Sequence, residues 1–142
     1  MKIAYYARIT KQDGGYLVEF PDLPGCLTEG DTINDAVRNA KEALSGWLYA
    51  AVKAGDEIPE PKGHKGHQHR LIEPDLDVAV PLILIMARKR KGFTQADMAN
   101  SLNITQQAYR KLEIPGKSNP GIKTLSRLLD KLGLRIELMA AA

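Results

Sequence analysis

The sequence predicts an α+β protein in two parts: a β-β-β-α-β unit, followed by an all-helical unit that ends in a short strand. Short runs rich in β-branched and aromatic residues, separated by Gly and Pro turns, fill residues 1–30. A long stretch with apolar residues three and four positions apart follows. Short helical segments that begin with capping residues fill the C-terminal half. The 142 residues are 44% hydrophobic, which is typical of a folded chain with one medium or two small domains.

Three strands are predicted near the N-terminus. Ile3–Ile9 and Tyr16–Phe20 flank the turn Asp13–Gly15, and this order predicts a β-hairpin. The next segment, Pro21–Gly25, forces a turn because its two prolines fix φ. Cys26–Glu29 then predicts a short third strand that ends at Gly30.

One long amphipathic helix is predicted after the third strand. Thr32 can cap its first turn, and the apolar stripe continues to Val52 before Gly55 ends the helix. Trp47 lies on this stripe, so we interpret it as part of the core rather than as a platform for stacking bases. A fourth strand is expected around residues 68–73.

The segment between the two units is rich in Gly and Pro and contains all three histidines, His64, His67 and His69. Imidazoles can bind a metal, but this segment shows no fixed ligand spacing, and Lys65 would repel a cation. We therefore interpret it as a polar linker, and expect no metal and no cofactor. The predicted divisions are a first domain at residues 1–62, a linker at 63–75 and a second domain at 76–142.

The second domain is predicted to contain four helices and a terminal strand. A helix over residues 76–91 ends in a basic turn, and Pro81 fits it only if the proline lies in the first turn. The remaining predicted elements are helices at Gln95–Leu102, Gln106–Glu113 and 121–132, and a strand at Leu134–Met139.

The middle two helices have the pattern of a helix-turn-helix. Their apolar residues form one set that closes two short helices around a turn at Asn103, a residue type that tolerates positive φ. Gln, Arg and Lys on the second of these helices suit base edges and phosphates, and a helix N-terminus can bind a phosphate. The candidate DNA-binding residues are Thr94, Gln95, Thr105, Gln106, Gln107, Arg110 and Lys111.

The charge is divided between the two halves. Residues 1–80 contain nine Lys and Arg against thirteen Asp and Glu, a net charge of −4. Residues 81–142 contain eleven against four, a net charge of +7. A basic half suits a polyphosphate partner, although a solvated basic surface would have the same charge.

Two resemblances to known families follow from these motifs. The span from Phe93–Ala99 through Asn119–Leu125 resembles the Cro/CI-like helix-turn-helix family, with Asn103 where that family usually has Gly. The string FPDLPGC…GDT within Gly15–Thr32, followed by Asn34–Leu44, resembles HicB-family antitoxins. The second resemblance implies a degenerate RNase H-like fold that blocks a small mRNA-cleaving toxin, HicA, in a protein that represses its own operon.

The resemblance also implies that the chain is not an enzyme. An active RNase H-like enzyme needs a carboxylate in its first strand, and Ile3–Ile9 contains none. An acidic first half would complement a basic, RNA-binding toxin. Candidate toxin-binding residues at strand edges and turns are Tyr6, Asp22 and Glu29.

The expected location is the cytoplasm, and the expected assembly is a homodimer or a higher homo-oligomer. No run of eighteen apolar residues is present, so no membrane partner is expected, and the single Cys26 excludes an intramolecular disulfide. Because one helix-turn-helix contacts few base pairs, a repressor of this kind binds operator DNA as a dimer. The candidate dimer surfaces are the strand at residues 134–139 and a face containing Ile83 and Met86.

Two other functions fit the same sequence. The first is a transcriptional regulator whose N-terminal domain senses a ligand or mediates oligomerisation. The second is a Mg²⁺-dependent nuclease that uses acids of the N-terminal unit, such as Asp22 and Asp31.

Overall fold

A computed structural model describes residues 2–141, and its element order confirms a β-β-β-α-β unit followed by helices. The predicted class, α+β, is therefore correct. The elements are β1 (Tyr5–Gln12), β2 (Gly15–Glu19), β3 (Leu27–Gly30), α1 (Ile33–Ala54), β4 (His69–Ile72), α2 (Leu76–Arg90), α3 (Gln95–Leu102), α4 (Gln106–Leu112) and α5 (Ile122–Leu132).

The four strands form one sheet in the order β3-β2-β1-β4, and every neighbouring pair is antiparallel. Successive side chains along a strand point to opposite faces, so the register assigns each residue to a face. The face that packs against α1 contains the buried residues Tyr5, Ala7, Ile9, Val18 and Ile72. The opposite face, which we call the open face, carries polar and apolar side chains together, and His64 of the connecting segment lies against Tyr6 and His69 on it.

Helix α1 begins and ends as its sequence predicts. The Asp35 N–H donates to Thr32 Oγ1 over 3.1 Å, and Gly55 ends the helix with φ of 75°. Trp47 packs against the sheet core, and its Nε1 donates to the Pro24 carbonyl over 3.1 Å. Trp47 is thus partly buried against the core, at the edge of the apolar stripe's contact with the sheet.

Helix α2 contributes to two hydrophobic cores. Val78, Ala79 and Leu82 pack into the core under the sheet, whereas Leu84 and Ala87 pack into the core of the helical unit. The predicted domain boundary at residue 76 remains a prediction. A fragment cut there would expose the apolar side chains that α2 buries against the sheet.

Pro81 does not lie in the first turn of α2, so the condition that the sequence set for it is not met. The helix begins at Leu76 and Pro81 lies inside it, where a proline cannot donate to the carbonyl four residues earlier. That carbonyl, of Asp77, instead accepts the N–H of Gly116 over 3.0 Å. A tertiary hydrogen bond thus replaces the missing helical one.

The helix-turn-helix forms as predicted around the second core. Asn103 has a φ of 55° between α3 and α4, which confirms the expected left-handed turn residue. The α4 helix ends one residue earlier than predicted, since Glu113 is its C-cap. The buried residues of this core are Leu84, Ala87, Met98, Ala99, Leu102, Tyr109, Leu128 and Leu132.

The predicted strand at Leu134–Met139 does not form in the single chain. Strands need a hydrogen-bonded neighbour, and no described residue pairs with this segment. The Leu134 N–H instead donates to the Leu129 carbonyl over 2.8 Å and closes the end of α5. Beyond it, Ile136, Leu138 and Met139 are exposed.

Gly30 sets the distance between β3 and α1, so Gly30→Ala should destabilise the protein. A Cβ at Gly30 would lie 2.7 Å from Ala36 Cα and 2.8 Å from the Asp35 carbonyl carbon. We expect the free energy of unfolding in urea to fall by about 1–3 kcal/mol, the usual cost of overpacking.

Gly46→Ala is the matched control, because nothing lies within 4 Å of a Cβ there and Gly46 is inside α1. This variant should be more stable by about 0.5–1 kcal/mol, the usual gain from removing a glycine inside a helix. Equal effects of the two substitutions would contradict a close approach at Gly30.

Candidate nucleic-acid interface and partner surface

Helix α4 presents a polar face to solvent. Thr105 caps the helix by accepting the Ala108 N–H at its Oγ1 over 3.0 Å, while Tyr109 faces the core. The helical spacing of the next four candidates places them together on the outer side. These exposed residues, for which no side-chain hydrogen bond or ion pair is found within residues 2–141, are Gln106, Gln107, Arg110 and Lys111.

The two candidates at the start of α3 also have structural roles. Thr94 and Asp97 form a capping box, in which the Asp97 N–H donates to Thr94 Oγ1 over 3.0 Å and the Thr94 N–H donates to Asp97 Oδ2 over 2.8 Å. The N–H of Thr94 therefore lowers the pKa of Asp97. Gln95 is half-buried, and its Nε2 donates to Glu113 Oε2 over 3.1 Å.

A buried ion pair, which the sequence did not reveal, fixes the helix-turn-helix. Arg88 Nε donates to both Glu113 oxygens, over 2.6 and 3.1 Å, and Arg88 Nη1 donates to the Phe93 carbonyl over 2.9 Å. The Arg88 and Glu113 side chains are only 12% and 3% exposed. The two residues are far apart in the sequence, and nothing in the local pattern of α2 or α4 pairs them.

The open face of the sheet is the second candidate surface. Leu27 and Leu71 are 59% and 43% exposed at its two edge strands, and the Arg8–Glu19 ion pair of 2.7 Å lies between them. By register, this face contains Tyr6, Arg8, Thr10, Leu17, Glu19, Leu27, Glu29, His69 and Leu71. Both edge strands therefore leave an apolar side chain accessible on this face, with charged side chains between them.

The three candidates for contact with a partner protein have different environments. Glu29 is exposed on the open face, and Tyr6 lies on the same face with the His64 ring 6.1 Å away, edge to face. The Asp22 side chain is only 5% exposed. Its oxygens accept the Lys62 N–H and contact His64 Nε2, each over 2.9 Å. Asp22 therefore links the segment between α1 and β4 to the sheet unit through these two contacts.

The three histidines have different environments. His64 stacks on His69 with ring centroids 5.4 Å apart, whereas His67 is exposed. Among residues 2–141, no three His, Cys, Asp or Glu side chains are grouped as a metal site would require. Likewise, none of the helices in this range is long and apolar enough to span a membrane.

Comparisons with known proteins identify both parts of the chain. Residues 5–107 match the family described as HicB_like antitoxin of bacterial toxin-antitoxin system, and residues 84–139 match a helix-turn-helix family. The antitoxin HicB of Escherichia coli K12 is 33% identical over 100 residues, which cover 70% of this chain and 72% of that protein. An antitoxin HicB of Photorhabdus laumondii is 28% identical over 127 residues, covering 89% and 79%. The crystal structure of the Burkholderia pseudomallei antitoxin HicB aligns with a TM-score of 0.45 at 20% identity, covering 78% and 98%.

The contacts of Asp22 predict an acid-sensitive part of the stability. Burial raises the pKa of Asp22, but the Lys62 N–H and His64 lower it more, so the pKa lies below its ordinary value of 3.8. A carboxyl with a lowered pKa in the folded state stabilises the protein above its unfolded pKa, and this stabilisation is lost as the pH falls through the folded pKa. In the Asp22→Asn variant, the free energy of unfolding should therefore fall less steeply as the pH drops below 3.8.

Urea titrations at a series of acidic pH values measure this slope. Asp13→Asn is the control, because Asp13 is exposed in the β1–β2 turn. The role assigned to Asp22 is wrong if Asp22→Asn leaves the acid limb as steep as in the unmodified chain.

Proposed function

The chain belongs to the HicB-like antitoxin family of bacterial toxin–antitoxin systems, and from this premise we propose that it neutralises a HicA-like mRNA-cleaving toxin and represses its own operon. The observation that carries the proposal is the presence of two separate free surfaces on one chain. These are the polar face of α4 in the basic half and the open sheet face in the acidic half. The proposal includes no catalysis, and it places the protein in the cytoplasm with its operon and the toxin's mRNA substrates.

The proposed DNA contacts follow from the exposed residues of α4. Gln106 and Gln107 can each bind an adenine edge through two hydrogen bonds, and Arg110 can bind a guanine edge or a phosphate. Lys111 suits a phosphate. Thr105 and Thr94 act first as helix caps, so their contribution would come from helix N-termini directed at phosphates.

The proposed toxin contacts lie on the open sheet face. Leu27 and Leu71 offer apolar area, and Glu29 has an exposed carboxylate that suits a basic partner. Tyr6 contributes through the exposed part of its ring. Asp22 would act indirectly, because it holds His64 against Tyr6.

A homodimer is proposed through α5 and the C-terminal tail. The buried residues of α5 face the core, whereas Ile122 at the start of the helix is 88% exposed. Val80, Ile83, Leu125, Leu129, Leu134 and Ile136 are among the residues that line a shallow hollow of about 120 Å³ between α2, α5 and the C-terminal tail. Met86 does not belong to this surface, since it lines a separate cleft beside α1 and Arg110. Ile83, from the second candidate dimer surface, therefore lies beside the C-terminal tail, which is the first candidate surface. Met86 does not lie beside the tail.

Co-purification with the product of the neighbouring reading frame tests the proposed function. We expect a small basic protein to stay bound to the tagged chain through size-exclusion chromatography. If the neighbouring product shows no binding to the folded chain, the toxin-neutralising part of the proposal is wrong. A plain transcriptional regulator would then be the better description.

Substitutions on α4 should separate base reading from phosphate binding. Gln106→Ala or Gln107→Ala should lose about 1–3 kcal/mol of discrimination at particular base pairs. Lys111→Ala should weaken binding to all sequences alike. It should also reduce, by about one, the magnitude of the slope of log binding constant against log salt concentration. Binding to operator and random DNA at several salt concentrations measures both effects, and equal effects of all three variants would show that α4 does not enter the groove.

Truncation after Gly133 should produce monomers with little operator affinity and intact toxin binding. The truncation removes Leu134 and Ile136 from the hollow together with the exposed apolar tail. Truncation after Met139 is the control, since it removes only alanines. Sedimentation measures the mass of each form, and a chain ending at Gly133 that still dimerises and binds DNA normally would exclude the tail from the interface.

A further inference from the structure

The segment that follows α4 is attached to α2 at two points. Glu113, the C-cap of α4, binds Arg88 near the end of α2. Three residues later, the Gly116 N–H donates to the Asp77 carbonyl over 3.0 Å, near the start of α2. Asp77 and Arg88 are eleven positions apart, and a rise of 1.5 Å per residue places their Cα atoms roughly 16 Å apart along α2.

The second anchor exists because of Pro81. In an uninterrupted helix the Asp77 carbonyl would accept the N–H of residue 81, and proline has none. The carbonyl is therefore free for a partner outside the helix, and Gly116 supplies the donor. Gly116 has a φ of +77°, a conformation that favours glycine, and a Cβ there would lie 3.7 Å from the Tyr49 ring.

The second anchor belongs to the sheet unit rather than to the helical unit. Val78, Ala79 and Leu82, which follow Asp77 on α2, are part of the core under the sheet. Tyr49, on the other side of Gly116, lies on α1 of the same unit. The turn after α4 is thus held by the Asp77 carbonyl and lies beside the Tyr49 ring, and both residues are on helices that pack against the sheet.

We propose that Pro81 is a positioning residue for DNA binding, because it frees the Asp77 carbonyl to hold Gly116 and so couples helix α4 to the sheet unit. The inference rests on the proposed DNA-binding function of α4. The sheet unit would then take part in operator recognition, because the Gly116–Asp77 hydrogen bond is one of the two attachments that set the tilt of α4.

Pro81→Ala in the full-length chain tests the proposal directly. The new N–H of residue 81 competes with Gly116 for the Asp77 carbonyl. Loss of one hydrogen bond of ordinary strength corresponds to a change of roughly 3- to 10-fold in an equilibrium. We expect the Gly116 amide to exchange with solvent faster by about this factor, and operator affinity to fall by a similar factor. Affinity for random DNA should not change.

Two further measurements separate positioning from general loss of packing. The Gly92 amide, which donates to the Lys89 carbonyl within the helical unit, is the reference. A general loosening would accelerate exchange at both Gly92 and Gly116. Asp77→Ala is the matched control, because it keeps the backbone carbonyl and removes only the exposed carboxylate. It should leave the exchange at Gly116 unchanged.

Tyr49→Leu serves as a second variant should Pro81→Ala fold poorly, since it loosens the other side of the Gly116 turn without altering α2. It should also lower operator affinity and leave random-DNA affinity unchanged. The proposal is overturned if the Gly116 exchange does not respond to Pro81→Ala, or if operator and random-DNA affinities fall together. If the unmodified chain shows no operator preference at all, the proposed function fails, and the exchange at Gly116 still tests the anchor by itself.

Discussion

The DNA-reading half of this antitoxin depends on the buried ion pair between Arg88 and Glu113. A helix as short as α4, with seven residues, is not stable alone in water, so its position must come from tertiary contacts. Arg88 donates to both oxygens of Glu113 at the end of α4 and to the Phe93 carbonyl just before α3. Gln95 adds a third contact to the Glu113 carboxylate. Removing one partner would leave a buried charge uncompensated, at a cost of about 3–5 kcal/mol.

Helix α2 connects this ion pair to the sheet unit. Its N-terminal half is packed under the sheet, and its C-terminal half carries Arg88 into the helical unit. A helix buried on several sides lacks a clear polar face, which is why its sequence reads as a nearly continuous apolar segment. The proposed toxin surface and the proposed DNA surface are therefore joined by a continuous helix rather than only by the Gly- and Pro-rich segment.

Local chemistry made most of the fold predictable from the sequence. The caps at Thr32, Thr94 and Thr105 and the left-handed turn at Asn103 depend on nearby residues, and all four form as expected. Contacts between distant residues could not be predicted in this way. Pro81 is tolerated inside α2 because Gly116 supplies a donor, and the Asp22 side chain is buried because Lys62 and His64 contact it. Apolar and polar residues alternate at positions 134–139 as they do in a strand, but this pattern cannot show whether a neighbouring strand is present to pair with it. Of the candidate site, the exposed residues of α4 were found by helical spacing, whereas no local pattern pairs Arg88 with Glu113.

We propose that one folded chain silences a toxin through its open sheet face. The rate of mRNA cleavage by the purified product of the neighbouring gene, titrated with the full-length chain, tests this directly. Cleavage should fall in proportion to added chain and stop near equimolar amounts, and a Leu27→Asp variant, altered on the open face, should require more protein. Continued cleavage in the presence of a clear excess of correctly folded chain would show that the chain does not silence the toxin.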